Sequence, residues 1–96
     1  VDCPPNDSLT PEMRAAYDAL RARFLDGLPG RWREIEACVN PADRAAVLHR
    51  LAGAAGAYGC QEISETARLA ERLATAGDSA ELDAAIFALG RMIASQ

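Results

Sequence analysis

Residues 40–59 read NPADRAAVLHRLAGAAGAYG, and this stretch decides the fold. Asn40 has the side chain of a helix N-cap, Pro41 suits the first helical position, and Asp43 adds a negative charge where the helix dipole favours one. Gly59 suits the left-handed residue that closes a helix, so the stretch predicts a helix from the Asn40 cap to about Tyr58. At about 100° per residue, Val47, Leu48, Leu51, Ala55 and Tyr58 share one arc, which should be buried. His49 falls nearly opposite the centre of that arc, so its imidazole should point to solvent. The residues on its side are all small: Ala45, Ala46, Ala52, Gly53 and Gly56. Two glycines in mid-helix cost about 1 kcal/mol each relative to alanine and need a reason. They either leave space around the histidine for another molecule or let a second helix of the same chain pack closely.

Downstream, Ile63, Ala67, Ala70, Leu73 and Ala74 mark one face of a helix over residues 61–76 that stops at Gly77. Asp78 with Glu81 three residues on forms a capping pattern, and Leu82, Ala85, Ile86, Leu89, Met92 and Ile93 follow at helical spacing almost to the C-terminus. Upstream, Thr10-Pro11-Glu12 opens a helix with Met13, Tyr17, Leu20 and Phe24 on its apolar side. The Gly27–Gly30 segment, with Pro29 inside it, should end or kink that helix. Leu28, Trp32, Ile35 and Val39 then predict a second helix to about Cys38. Tyr17 and Trp32 read as core residues. Residues 1–9, with two adjacent prolines, read as a flexible lead-in to a single unit over 10–96. The expected fold is all-α: an up-down antiparallel four-helix bundle with an additional N-terminal helix packed on it.

Composition narrows the function. The chain has 96 residues, 50% hydrophobic and 25% charged, which suits one small globular domain. No apolar run is long enough for a membrane span. A net charge of −4 argues against a nucleic-acid surface, although all ten cations are arginine. The 21 alanines favour helix. Three cysteines without a CxxC pair, and a single histidine, do not suit a zinc site. The N-terminus has neither a basic segment nor an apolar run of the signal-peptide kind, so reduced thiols in the cytoplasm are expected, with Cys60 partly exposed. A bundle this small has no room for a large enclosed substrate pocket, so function should lie on its surface. Glu62, Glu65 and Glu71 with Arg68 and Arg72 read as a solvated helix face.

The run His49-Arg50-Leu51-Ala52-Gly53-Ala54-Ala55-Gly56-Ala57-Tyr58-Gly59, followed by residues 63–71, ISETARLAE, resembles the histidine-containing phosphotransfer domains of bacterial phosphorelays. Their signature is H-x-L-x-G followed by small residues, an aromatic or Leu, and Gly. Upstream, Phe24-Leu25-Asp26-Gly27-Leu28-Pro29 and the helix after it look like the family's first two helices, so the resemblance covers residues 9–95.

That resemblance implies that His49 accepts a phosphoryl group from an aspartyl phosphate on one receiver domain and passes it to the aspartate of another. The partners would be receiver domains of a hybrid histidine kinase and of response regulators, with no nucleic acid and no membrane, and the chain would act as a monomer. A neutral imidazole offers one ring nitrogen as nucleophile without a dedicated base. Mg²⁺ and the charge stabilisation of a loose transition state would come from the receiver, so no cofactor is expected on this chain. Gly53 would let the receiver's loops approach, Gly56 would extend the opening, and Ala46, Arg50 and Gln61 would take part in partner choice. Many family members carry Lys three residues after the histidine, where it balances phosphoryl charge; here that position is Ala52. Arg50, or Arg68 on the following helix, could substitute, and Gln61 could hydrogen-bond. The alternative is a docking module of the same fold that binds receivers without chemistry, and a plain structural bundle with an incidental histidine is the least specific reading.

Overall fold

The structure, a computed structural model, describes residues 10–96; the lead-in expected over residues 1–9 lies outside the described residues. It consists of four helices: α1 (Pro11–Ala37), α2 (Pro41–Ala57), α3 (Gln61–Ala76) and α4 (Ser79–Ala94). There is no strand among the described residues. The capping signals act as their chemistry dictates. Thr10 Oγ1 accepts from the Met13 N–H at 3.1 Å, Asn40 Oδ1 from Ala42 at 2.8 Å, and Asp78 Oδ1 from Glu81 at 3.2 Å. Gly77, with φ of 79°, closes α3 in the left-handed conformation.

The separate N-terminal helix is not formed. α1 runs unbroken through Gly27, Leu28, Pro29 and Gly30, so the two helices expected on either side of this segment are one element of 27 residues. Pro29 has no N–H to donate to the Leu25 carbonyl, a loss that usually ends a helix. Packing explains why it does not. Phe24, Leu28 and Ile35 are buried at 5%, 0% and 1% exposure, and they form one apolar stripe that spans the proline. Breaking the helix would take one half of that stripe off the core, so burial outweighs local propensity.

α2 and α3 form the most intimate pair, α4 packs on α3, and α1 lies against both α2 and α4, closing a helical bundle. Leu28, Ile35, Leu48, Leu51 and Leu89 are fully buried at its centre, with Ala55, Ile63, Ala67 and Ala70 around them. The first turns of α1 are less covered than their spacing predicts: Met13 and Leu20 remain exposed and only Phe24 of that set is buried. This half of α1 serves instead to finish α2. The Tyr17 hydroxyl donates to the Ala57 carbonyl at 3.2 Å and Arg21 Nε to the Tyr58 carbonyl at 3.0 Å. Both carbonyls lie at the C-terminal end of α2, where helical donors have run out and a cation is favoured. The rings of Tyr17 and Phe24 flank that of Tyr58, at 5.8 and 5.3 Å between centroids.

Trp32 is half-buried and lies against Gly90 of α4. A Cβ built on Gly90 would come within 2.6 Å of Trp32 Cζ2, so α1 and α4 meet this closely only because position 90 has no side chain. No helix among the described residues is long and apolar enough to cross a membrane.

Two substitutions test this packing by chemical denaturation. Gly90→Ala should lower stability by about 1–3 kcal/mol, because the indole must move out of a tight seat. Pro29→Ala, at an exposed position inside α1, should raise it by about 1–3 kcal/mol by restoring a helical donor. A neutral or destabilising Pro29→Ala would mean that the helix is broken there.

Candidate functional site

The site is built on the α2–α3 hairpin. Gly59, with φ of 75°, takes the left-handed conformation, its N–H donating to the Gly56 carbonyl at 3.3 Å and that of Cys60 to the Ala55 carbonyl at 2.8 Å. This closure ends α2 and turns the chain at once into α3. α3 therefore runs back along α2, and residues equidistant from Cys60 in sequence meet across the seam: Gly56 with Ser64, and His49 with Glu71.

Ser64 is 1% exposed, and its hydroxyl donates to the Ala52 carbonyl at 2.8 Å. The added Cβ at Gly56 would sit 3.3 Å from Ser64 Oγ and 3.8 Å from an Arg68 guanidinium nitrogen. Ala52 itself is buried, at 2% exposure. Ala52 and Gly56 thus serve the close approach of α3, and at Gly56 the missing side chain does not hold space open for another molecule. Gly53 differs: nothing lies within 4 Å of where its Cβ would be.

His49 stands one turn before Gly53 with its side chain 75% exposed. Its Nδ1 lies 3.2 Å from Oε1 and 3.1 Å from Oε2 of Glu71, whose side chain is 29% exposed. An ionised carboxylate only accepts hydrogen bonds, so Nδ1 carries the proton and donates it. This selects the tautomer in which Nε2 holds the free lone pair. Nε2 has no hydrogen-bond partner among the described residues. Beside the ring is an open concavity of about 330 Å³ lined by His49, Ala52, Gly53, Arg68, Glu71 and Arg72. Arg68, Arg72 and Glu71 of α3 thus line the same concavity as an exposed imidazole on α2, a combination of residue types suited to a small anion held there.

The structure gathers only some of the residues singled out in the sequence. Arg68 lines the concavity, Gly53 opens it, and Ala46 is exposed one turn before His49. Arg50 is turned the other way, pairing with Glu34 of α1 at 3.4 Å, a contact between exposed groups that contributes little to stability. Gln61 sits at the far end of the hairpin, with its Nε2 directed at Glu65 Oε1 at 3.4 Å, in a separate depression shared with Arg21 and Cys60. Cys60 is buried rather than partly exposed. Of the set read as a solvated helix face, Arg72 is exposed and Glu71 half-buried, and both also line the concavity beside His49. The symmetric placement of His49 and Glu71 about the Gly59–Cys60 turn is the sequence signal that finds them.

Among the described residues no group of three or more His, Cys, Asp or Glu side chains could hold a metal ion. Comparison of the chain with protein-family models, with curated proteins and with solved structures gave no match.

The two glycines should respond differently to the same change. Gly53→Ala, in open space on a helix, should raise stability by about 0.5–1 kcal/mol in thermal or urea unfolding. Gly56→Ala should gain clearly less, because the Ser64 hydroxyl must give way. Equal gains would mean that α3 does not press on Gly56.

Proposed function

We propose that the chain is a histidine phosphotransfer domain that carries phosphoryl groups between receiver-domain aspartates through His49 Nε2. The observation that carries this reading is the state of one ring: His49 is exposed in mid-helix, Nδ1 is engaged by Glu71, and two arginines border the space beside it. In the forward step the Nε2 lone pair attacks the phosphorus of an aspartyl phosphate. The P–N bond forms, the P–O bond breaks, and the electron pair leaves on the receiver's carboxylate. In the return step a second receiver's aspartate attacks, and the pair comes back to Nε2. No proton must leave Nε2, so no general base is required. Mg²⁺ and the remaining stabilisation of the loose transition state belong to the receiver.

The four helices are read here as an up-down bundle acting as a cytoplasmic monomer. Receivers would dock over Ala46 and Gly53, where small residues keep the ring accessible. The charge that Lys supplies in many family members is absent at Ala52, and Arg68 and Arg72 make up for it from α3, their guanidinium groups being suited to phosphoryl oxygens. The second reading, a receiver-docking module without chemistry, draws on that missing Lys alone.

Incubation with a radiolabelled phosphorylated receiver separates the two. Label on the wild-type chain that survives base and is lost in acid, and no label on His49→Gln, is the expected result. Complex formation with several receivers without any label on the chain would support the docking module instead.

A further inference from the structure

We infer that the cleft between α1 and the end of α2, on the side of α2 away from His49, docks an acidic amphipathic helix of another protein and leaves the histidine accessible while it does so. The cleft has a volume of about 260 Å³ and is lined by Leu20, Arg23, Phe24 and Arg31 of α1 and by Tyr58. Its place follows from helix geometry. Tyr58 comes nine residues after His49, about 180° round α2 and about 14 Å along it. The inference does not rest on the phosphoacceptor reading, because no residue of the concavity beside His49 lines this cleft.

Charge decides the occupant. The chain carries −4 overall, yet both charged side chains lining this cleft are arginines. Neither guanidinium has an ion-pair partner among the described residues. Arg31 stands over the Phe24 ring, 5.5 Å from its centroid, a contact that orients the guanidinium without neutralising it. Other arginines have acids at hand: Arg50 meets Glu34, and Arg68 and Arg72 share their concavity with Glu71. The cleft therefore calls for carboxylates from outside. The rest of its lining is apolar or aromatic, and that surface continues along α1. Leu20 is 47% exposed, and Met13, seven residues earlier and so on the same side of the helix, is 51% exposed. A helix laid along α1 would cover this strip with apolar side chains at i, i+3 or i+4, and i+7. Arg23 and Arg31 are eight residues apart, about 12 Å along α1, so the carboxylates that meet them stand about two turns apart on the docked helix.

The probe is a synthetic helical peptide of about 18 residues, the length of α1 from Met13 to Arg31, with leucines along one face and two glutamates about two turns apart beside them. A second peptide has glutamine in place of both glutamates. Binding to the full chain is followed by proton–nitrogen NMR and by calorimetry. The glutamate peptide is expected to shift the amide signals of Leu20, Arg23, Arg31 and Tyr58 but not those of Gly53 or Glu71. It should bind at least about fivefold more tightly than the glutamine peptide, and lose at least about fivefold in affinity between about 50 mM and about 500 mM salt. Arg23→Glu should weaken it about tenfold and Leu20→Ala at least about threefold, with unchanged thermal unfolding because both side chains are exposed. Equal affinity for the two peptides, signal shifts centred on His49, or no binding at about 1 mM peptide overturns the inference. Tighter binding to phosphatidylglycerol vesicles than to the peptide overturns it in favour of a membrane surface. Self-association of the chain alone that Arg23→Glu and Leu20→Ala abolish overturns it in favour of a second copy. None of these outcomes bears on phosphoryl uptake by His49.

Discussion

The close seam between α2 and α3 is the constraint on which the rest depends. At its centre a buried serine hydroxyl donates to a mid-helix carbonyl, Ser64 Oγ to Ala52 O at 2.8 Å, with a bare Gly56 facing the same hydroxyl. A buried hydroxyl without a partner would cost about 1–3 kcal/mol, so the bond both satisfies Ser64 and fixes where α3 lies on α2. Ala52, Ala55, Ala67 and Ala70 bury little area each, and the pairing of these helices relies on dense contact between backbones more than on large apolar side chains. The larger side chains, Leu28, Ile35, Leu48, Leu51 and Leu89, fill the interior that this pair shares with α1 and α4.

The same seam explains how an exposed residue can be positioned. A histidine with three quarters of its side chain in water would ordinarily sample several rotamers. Here a carboxylate from the neighbouring helix holds one nitrogen of the ring, and the side chain that carries it is itself half-buried. The site therefore combines access from solvent with a defined ring orientation, and neither requires an enclosed pocket. The positive charge is similarly borrowed. α2 contributes none to the concavity, and both bordering arginines come from α3.

Much of the architecture was legible in the residues. Thr10, Asn40 and Asp78 cap because their short polar side chains reach unpaired N–H groups, and Gly59 and Gly77 close helices because they adopt positive φ cheaply. These are local effects, set within a few residues. The Gly27–Gly30 segment was misleading for the opposite reason: its local chemistry opposes a helix, and the burial of Phe24, Leu28 and Ile35 by other helices overrides it. The exposure of His49 followed from α2 alone, since the helix period places it away from the leucines. Glu71 did not, because its role depends on the register between two helices. On α3 viewed in isolation it is one acid among several. Gly56 shows the same divide, with a wheel able to place it near His49 but unable to say that Ser64 occupies the space in front of it.

The left-handed turn at Gly59 acts, finally, as a ruler. Its two backbone bonds set how many residues separate the end of α2 from the start of α3, and every cross-helix pairing farther along inherits that count. One residue inserted between Tyr58 and Gln61 would rotate α3 by about 100° relative to α2 at each shared level. The imidazole would keep its exposure, yet a different side chain would confront it. The group that faces the histidine is thus set by the length of a connection several turns away.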